Sequence, residues 1–153
     1  MKIREILSED CIKLPLISKN KNEVLEELVN ILIKAGKITE KTALLDSAIE
    51  REGLMSTGIG KSVAIPHGRT EAIEKMVSSF GISKEKIEFG SLDGEPVQIF
   101  FFLATPADII SEHVRALALI SRMLNKDKVR EVLLKAKNSS EVIKILEEGE
   151  KEF

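Results

Sequence analysis

The sequence has no tryptophan, no tyrosine, one cysteine, four prolines and two histidines in 153 residues. A lone Cys11 excludes a disulfide within the chain and any metal site built on several thiolates, and it suits a reducing, cytoplasmic setting. With only Lys13 as a nearby cation, Cys11 is expected to be a small buried hydrophobe rather than a reactive thiol. Long apolar runs are missing too. The longest, Ile99 to Ala104, is far short of the ~20 residues of a membrane helix, and Met1-Lys2-Ile3-Arg4-Glu5 carries no apolar signal core. No segment is expected to cross a bilayer, so any link to a membrane has to run through a partner. Nor is there an excess of one charge: Lys and Arg total 23 and Asp and Glu 25, for a net charge of -2. Without a basic surplus, nucleic acid is not an expected partner. No linker and no repeat of 20 to 50 residues divides the chain. One domain over 1–153 follows, with the charged tail 150–153 expected to fray.

What is present alternates between helical and extended patterns. Residues Ile3 to Leu16 form a loosely apolar lead-in. Val24, Leu25, Leu28, Val29, Ile31 and Leu32 repeat with helical spacing between Lys21 and Lys37, and Gly36 is the expected stop. Thr39 reads as the N-cap of a second helix through Ala43, Leu44, Ala48 and Ile49, closed by Gly53, which puts Arg51 in its last turn. Val77 to Ile82 is strand-like, Ser83 to Lys86 reads as a turn, and Asp93-Gly94 is a second turn signal, together suggesting a hairpin. Val97 to Ala104 is too apolar for a wet face and predicts a central strand buried on both sides. A helix follows from about Ser111 through Leu124, with His113 in its first turn. Asp127 to Ala136 and Asn138 to Glu148 predict two more, the last with an Asn138/Glu141 capping box and Gly149 as its stop. The fold class is α/β, with a mixed parallel and antiparallel central sheet flanked by helices on both faces.

The chain is organised around Ser56-Thr57-Gly58-Ile59-Gly60-Lys61-Ser62-Val63-Ala64-Ile65-Pro66-His67-Gly68-Arg69-Thr70. Its middle reads as a short buried strand that delivers His67 at a rigid strand end, between a proline that fixes φ and a glycine that allows a turn. Gly60-Lys61-Ser62 spells the end of a phosphate loop. However, Met55 stands where the upstream glycine is required and a strand follows rather than a helix, which excludes nucleotide binding. Both histidines are expected just beyond strand ends that could be neighbours in one sheet. Two histidines without a third ligand make a poor zinc site, and no nucleophile elbow supports a hydrolase triad. Arg51 has a competing explanation, since a cation in a helix's last turn is favoured by the macrodipole alone. Two imidazoles, a guanidinium and a glycine-rich backbone are, together, suited to holding a phosphoryl group. A neutral imidazole attacks phosphorus, the arginine fork neutralises equatorial oxygens, and the N–H groups of Thr57 and Gly58 can add to it.

These residues carry a resemblance. Ser56-Thr57-Gly58-Ile59-Gly60, followed by Val63-Ala64-Ile65-Pro66-His67-Gly68-Arg69, resembles the phosphorylation-site signature of the fructose/mannitol-type IIA component of the bacterial phosphoenolpyruvate-dependent sugar phosphotransferase system. Arg51-Glu52, Leu92-Asp93-Gly94, Pro106 and the His113 helix extend the likeness over nearly the whole chain. The resemblance implies that His67 accepts a phosphoryl group from the phosphocarrier HPr and passes it to a cysteine of a IIB component, with an indirect membrane link through IIC. It implies that Arg51 contacts the phosphoryl group, that His113 orients or neutralises it, and that Thr57 and Gly58 line the pocket. It calls for no metal and no cofactor. The same family includes nitrogen-regulatory IIA proteins, so a regulator whose phosphorylation state controls protein partners is the alternative. A binding module with an inert His67 is a third reading.

Overall fold

The computed structural model describes residues 1–151. Its centre is β6 (Val97–Pro106), in which every residue except Gln98 is buried. The alternating polar positions of a half-wet strand are missing from it because both of its faces are covered. On one side β6 pairs antiparallel with β5 (Val77–Ile87). On the other it pairs parallel with two short segments, β3 (Val63–Ala64) and β4 (His67–Thr70). The edges are β1 (Ile12–Leu16), parallel to β5, and β2 (Gly58–Gly60), antiparallel to β3. The sheet is therefore mixed, as expected. β1 lies in what reads as a lead-in, and Pro15 can sit inside it because an edge strand leaves some N–H positions unpaired.

Neighbouring residues of β5 show the two helical layers. The Ser79 hydroxyl donates to the carbonyl of Leu28 in α1 (Lys21–Lys34) at 2.8 Å, whereas that of Ser78 donates to Ile6, beside the N-terminal 3-10 turn, at 2.6 Å. Successive strand residues face opposite sides, so α1 and its neighbour α2 (Lys41–Leu54) cover one face. The 3-10 turn, α3 (Ser111–Leu124), α4 (Asp127–Leu133) and α5 (Ser139–Glu150) cover the other. Edge-on phenylalanine pairs, Phe80 with Phe101 and Phe89 with Phe100, fill the layers at centroid distances of 5.9 and 5.5 Å.

Several boundaries differ from the sequence reading. Gly36 does end α1, in the left-handed conformation (φ 73°), with Lys37 N–H returning to the Leu32 carbonyl. The cap of α2 is Glu40 rather than Thr39, and Gly53 lies inside the helix. Gly149 likewise lies inside α5, where a Cβ would come within 3.1 Å of Val129 and 3.2 Å of Met123. It is a close-packing glycine, not a stop. Asn138 does cap α5, accepting from Glu141 N–H at 2.9 Å, but the Glu141 carboxylate takes the N–H of Lys137 instead of closing the box. Ser83 to Lys86 belongs to β5, where Lys84, Glu85 and Lys86 are exposed and the pairing register shifts before Ile87. Glu150, assigned to the fraying tail, ends α5 and accepts the N–H of Ile3 at 2.7 Å. Residues 152–153 of that tail lie outside the described residues.

Candidate functional site

β3 and β4 are one line of backbone interrupted by Ile65-Pro66. Val63 lies opposite Ile99, Ala64 opposite Phe100 and His67 opposite Leu103, a single offset throughout. Pro66 has no N–H to give the ladder, yet its carbonyl still accepts from Leu103 N–H at 3.0 Å. His67 thus opens β4 rather than standing beyond a strand end, which corrects the expectation from the sequence. Alternation then sends His67 and Arg69 to the α3 face of the sheet and Gly68 to the α2 face. Gly68 is required there, because a Cβ would lie 3.0 Å from the backbone of both Leu44 and Ala48.

On the α3 face, the third residue of α3 brings its ring to His67. The His67 and His113 centroids are 5.2 Å apart with planes at 66°. His113 is nearly buried, and its Nδ1 lies 2.7 Å from the hydroxyl of Thr105 near the end of β6. The Nδ1 of His67 is 2.9 Å from the carbonyl oxygen of Ile65. A carbonyl can only accept, so Nδ1 carries the proton and the lone pair is on Nε2. Burial pushes the His67 pKa down, with the charges of Arg51 and Arg69 acting the same way and the Ile65 bond and Glu52 acting against them. His113 is driven down to about 4, first by burial and then by Arg69, His67 and Arg51. Near neutral pH the site therefore holds two uncharged imidazoles within the field of two guanidinium groups.

Arg51 is in the last turn of α2, as expected, and donates to the Met55 carbonyl at 2.8 Å. Thr57 and Gly58, expected to line the pocket, hydrogen-bond to their own neighbours. The N–H of Thr57 donates to Glu52 Oε1 at 2.9 Å and its hydroxyl to Oε2 at 2.5 Å. The N–H of Gly58 donates to the Ser56 hydroxyl at 3.0 Å. All three donors are thus paired within the chain. Gly58 instead admits Ser91, whose hydroxyl would lie 2.2 Å from a Cβ at that position. Gly60-Lys61-Ser62 makes the turn between β2 and β3, with Lys61 and Ser62 at φ 57° and 68°. That strained turn is held by Lys61 N–H on Asp93 Oδ2 (2.9 Å) and the Ser62 hydroxyl on the Pro96 carbonyl (3.1 Å).

Arg69, Thr105 and Glu52 were given no role from the sequence. Arg69 donates to the carbonyls of Ile109 and Pro106, tying β4 to the loop that starts α3 and so to His113. The spacing His67-x-Arg69 on a strand was a usable signal, since both side chains must share a face. Thr105 and Glu52 had none, because their partners are set by strand pairing and by the path of the chain after α2. Among the described residues, no group of three or more His, Cys, Asp or Glu is arranged to hold a metal ion, and no helix is long and apolar enough to cross a membrane.

Comparison with known proteins adds independent findings. Residues 5–149 match the family model described as phosphoenolpyruvate-dependent sugar phosphotransferase system, EIIA 2. The chain is 36% identical over 99% of its length to a fructose-specific EIIABC component of Bacillus subtilis, of which it spans only 24%. It is 35% identical over 84% of its length to a fructose-specific EIIA component of Haloferax volcanii, covering 83% of that protein. Among solved structures, the nitrogen regulatory protein IIA-Ntr of Neisseria meningitidis superposes with a TM-score of 0.87 at 30% identity, over 94% of this chain and 98% of that one.

Proposed function

Because this chain belongs to the EIIA 2 family of the phosphoenolpyruvate-dependent sugar phosphotransferase system, we propose that His67 Nε2 is its phosphoryl acceptor. The observation that carries the assignment is the Nδ1 contact with the Ile65 carbonyl at 2.9 Å, which leaves Nε2 as the nucleophilic nitrogen. A neutral Nε2 attacks the phosphorus of a phosphohistidine on HPr. The new N–P bond forms as the donor's N–P bond breaks and its electron pair returns to the donor ring. A cysteine thiolate of a IIB component then forms an S–P bond, and the pair of the breaking N–P bond returns to Nε2. Arg51 and Arg69 supply positive charge for the equatorial oxygens, and His113, neutral at rest, takes a proton and becomes a cationic donor once a dianion arrives beside it. Thr57 and Gly58 contribute by shaping the wall rather than by donating to the phosphoryl group.

Incubation with phosphoenolpyruvate, enzyme I and HPr, read by intact mass, tests this reading. The unmodified protein should gain one phosphoryl mass, His67→Ala should gain none, and His113→Ala should gain it more slowly. No gain on the unmodified protein would end the proposal. The likeness to the Neisseria nitrogen regulatory protein supports a second reading, in which the phosphorylated and unphosphorylated forms bind different protein partners. Transfer of the label onward to a purified IIB cysteine separates the two: efficient transfer favours sugar uptake, and its failure favours regulation.

A further inference from the structure

A run of hydrogen bonds leads from the buried carboxylate of Glu52, ion-paired with the half-buried Lys21 outside the imidazole cluster, to the ring of His67. Glu52, 6% exposed, accepts from Lys21 Nζ at 2.8 Å as well as from both donors of Thr57. Lys21 is itself fixed, donating to the Phe89 carbonyl at 3.0 Å with its ammonium 4.6 Å from the Phe89 ring centre. The Thr57 carbonyl in turn accepts from Ile65 N–H at 3.0 Å, and the Ile65 carbonyl accepts from His67 Nδ1–H. Ile65 turns its amide away from β6, so Thr57, rather than the central strand, anchors that residue. The anchor is then only as firm as the hold of Glu52 on Thr57.

We infer that Glu52, braced by Lys21, is a positioning residue for His67: it pins Thr57, Thr57 pins Ile65, and Ile65 holds the His67 ring with its proton on Nδ1. The inference rests on His67 as the phosphoryl acceptor and adds to it the group that keeps the attacking nitrogen free. Removing the carboxylate leaves two Thr57 donors, in a residue 5% exposed, without their acceptor, and that segment must move to find water. The Ile65 carbonyl then loses its alignment, and the ring can rotate or move its proton to Nε2, where attack is blocked. Glu52 has a second effect in the same direction, since its negative charge opposes Arg51 and Arg69 and favours a more basic His67.

Nitrogen-15 NMR of the unphosphorylated protein, with phosphorylation kinetics alongside, is the test. In the unmodified protein, His67 should show a protonated Nδ1 and a bare Nε2. In Glu52→Gln the Nε2–H form should appear, and phosphorylation by HPr should slow about tenfold, as expected for loss of one buried hydrogen bond, with KM for HPr unchanged. Should Glu52→Gln not fold, Lys21→Met decides the matter: it keeps the carboxylate but removes its brace, and a smaller shift in the same direction is expected. An unaltered tautomer in the folded variants overturns the inference, and so does a slower rate caused by a raised KM alone. If the tautomer changes as stated but the unmodified protein accepts no phosphoryl group, the carrier reading fails while the positioning of the ring stands.

Discussion

His113 is buried within the field of Arg69, His67 and Arg51, and its pKa of about 4 follows first from the burial and then from those neighbours. An unfolded imidazole titrates near 6.5, so between pH 6.5 and about 4 the unfolded chain binds a proton that the folded one refuses. The contribution of this ring to stability is complete above pH 6.5 and is lost as the pH falls through about 4. His67, shifted in the same direction, adds to the loss. His113→Gln should flatten the acid side of a stability profile measured by urea unfolding; an unchanged slope would rule out the ring as its source. A phosphoryl dianion on His67 reverses the balance, and NMR titration should find the His113 pKa raised in the phosphorylated protein. At this scale the sequence reading was partial. The placements of His113 in the first turn of α3 and of Arg51 in the last turn of α2 were legible because helix termini announce where a side chain is delivered. The occupied donors of Thr57 were not, because they meet Glu52 only through the path the chain takes after α2, whereas the Ser56 hydroxyl takes Gly58 N–H in a turn two residues long.

At the scale of elements, α2 and β4 are the pair on which the geometry depends. They touch so closely at Gly68 that a methyl group would meet backbone atoms of α2, which cannot step aside as a flexible side chain can. The Ser47 hydroxyl of the same helix accepts Arg69 N–H at 2.8 Å. Gly68→Ala should therefore destabilise the protein by about 1–3 kcal/mol and, by lifting α2, should carry Arg51 away from the imidazoles and slow phosphorylation. Equal stability of the variant by urea unfolding would show that α2 yields at no cost. Helices α1, α3 and α5 were readable from their apolar period, and the buried β6 from its lack of polar positions. β1 and the far end of β5 were not. Pro15 and the exposed Lys84-Glu85-Lys86 look like turn chemistry, and only the position of each at a sheet margin makes them tolerable.

For the whole molecule, the central strand carries both the core and the site. Phe101 is fully buried against Phe80, while Thr105, further along the same strand, orients His113. Phe101→Ala should cost about 3–5 kcal/mol through lost burial and a residual cavity. Because a single core spans the sheet, unfolding followed by far-UV circular dichroism and by the imidazole NMR signals should coincide. Separate transitions would mean that the site melts on its own. The unbroken offset between the line through β3 and β4 and its neighbour β6 makes the count of residues as demanding as their identity. One amino acid inserted between Ala64 and His67 would turn every later side chain of β4 over. The imidazole would be driven into the backbone of α2, where there is room for a hydrogen atom and nothing larger, and every side chain of the proposed phosphoryl site would be present yet misplaced.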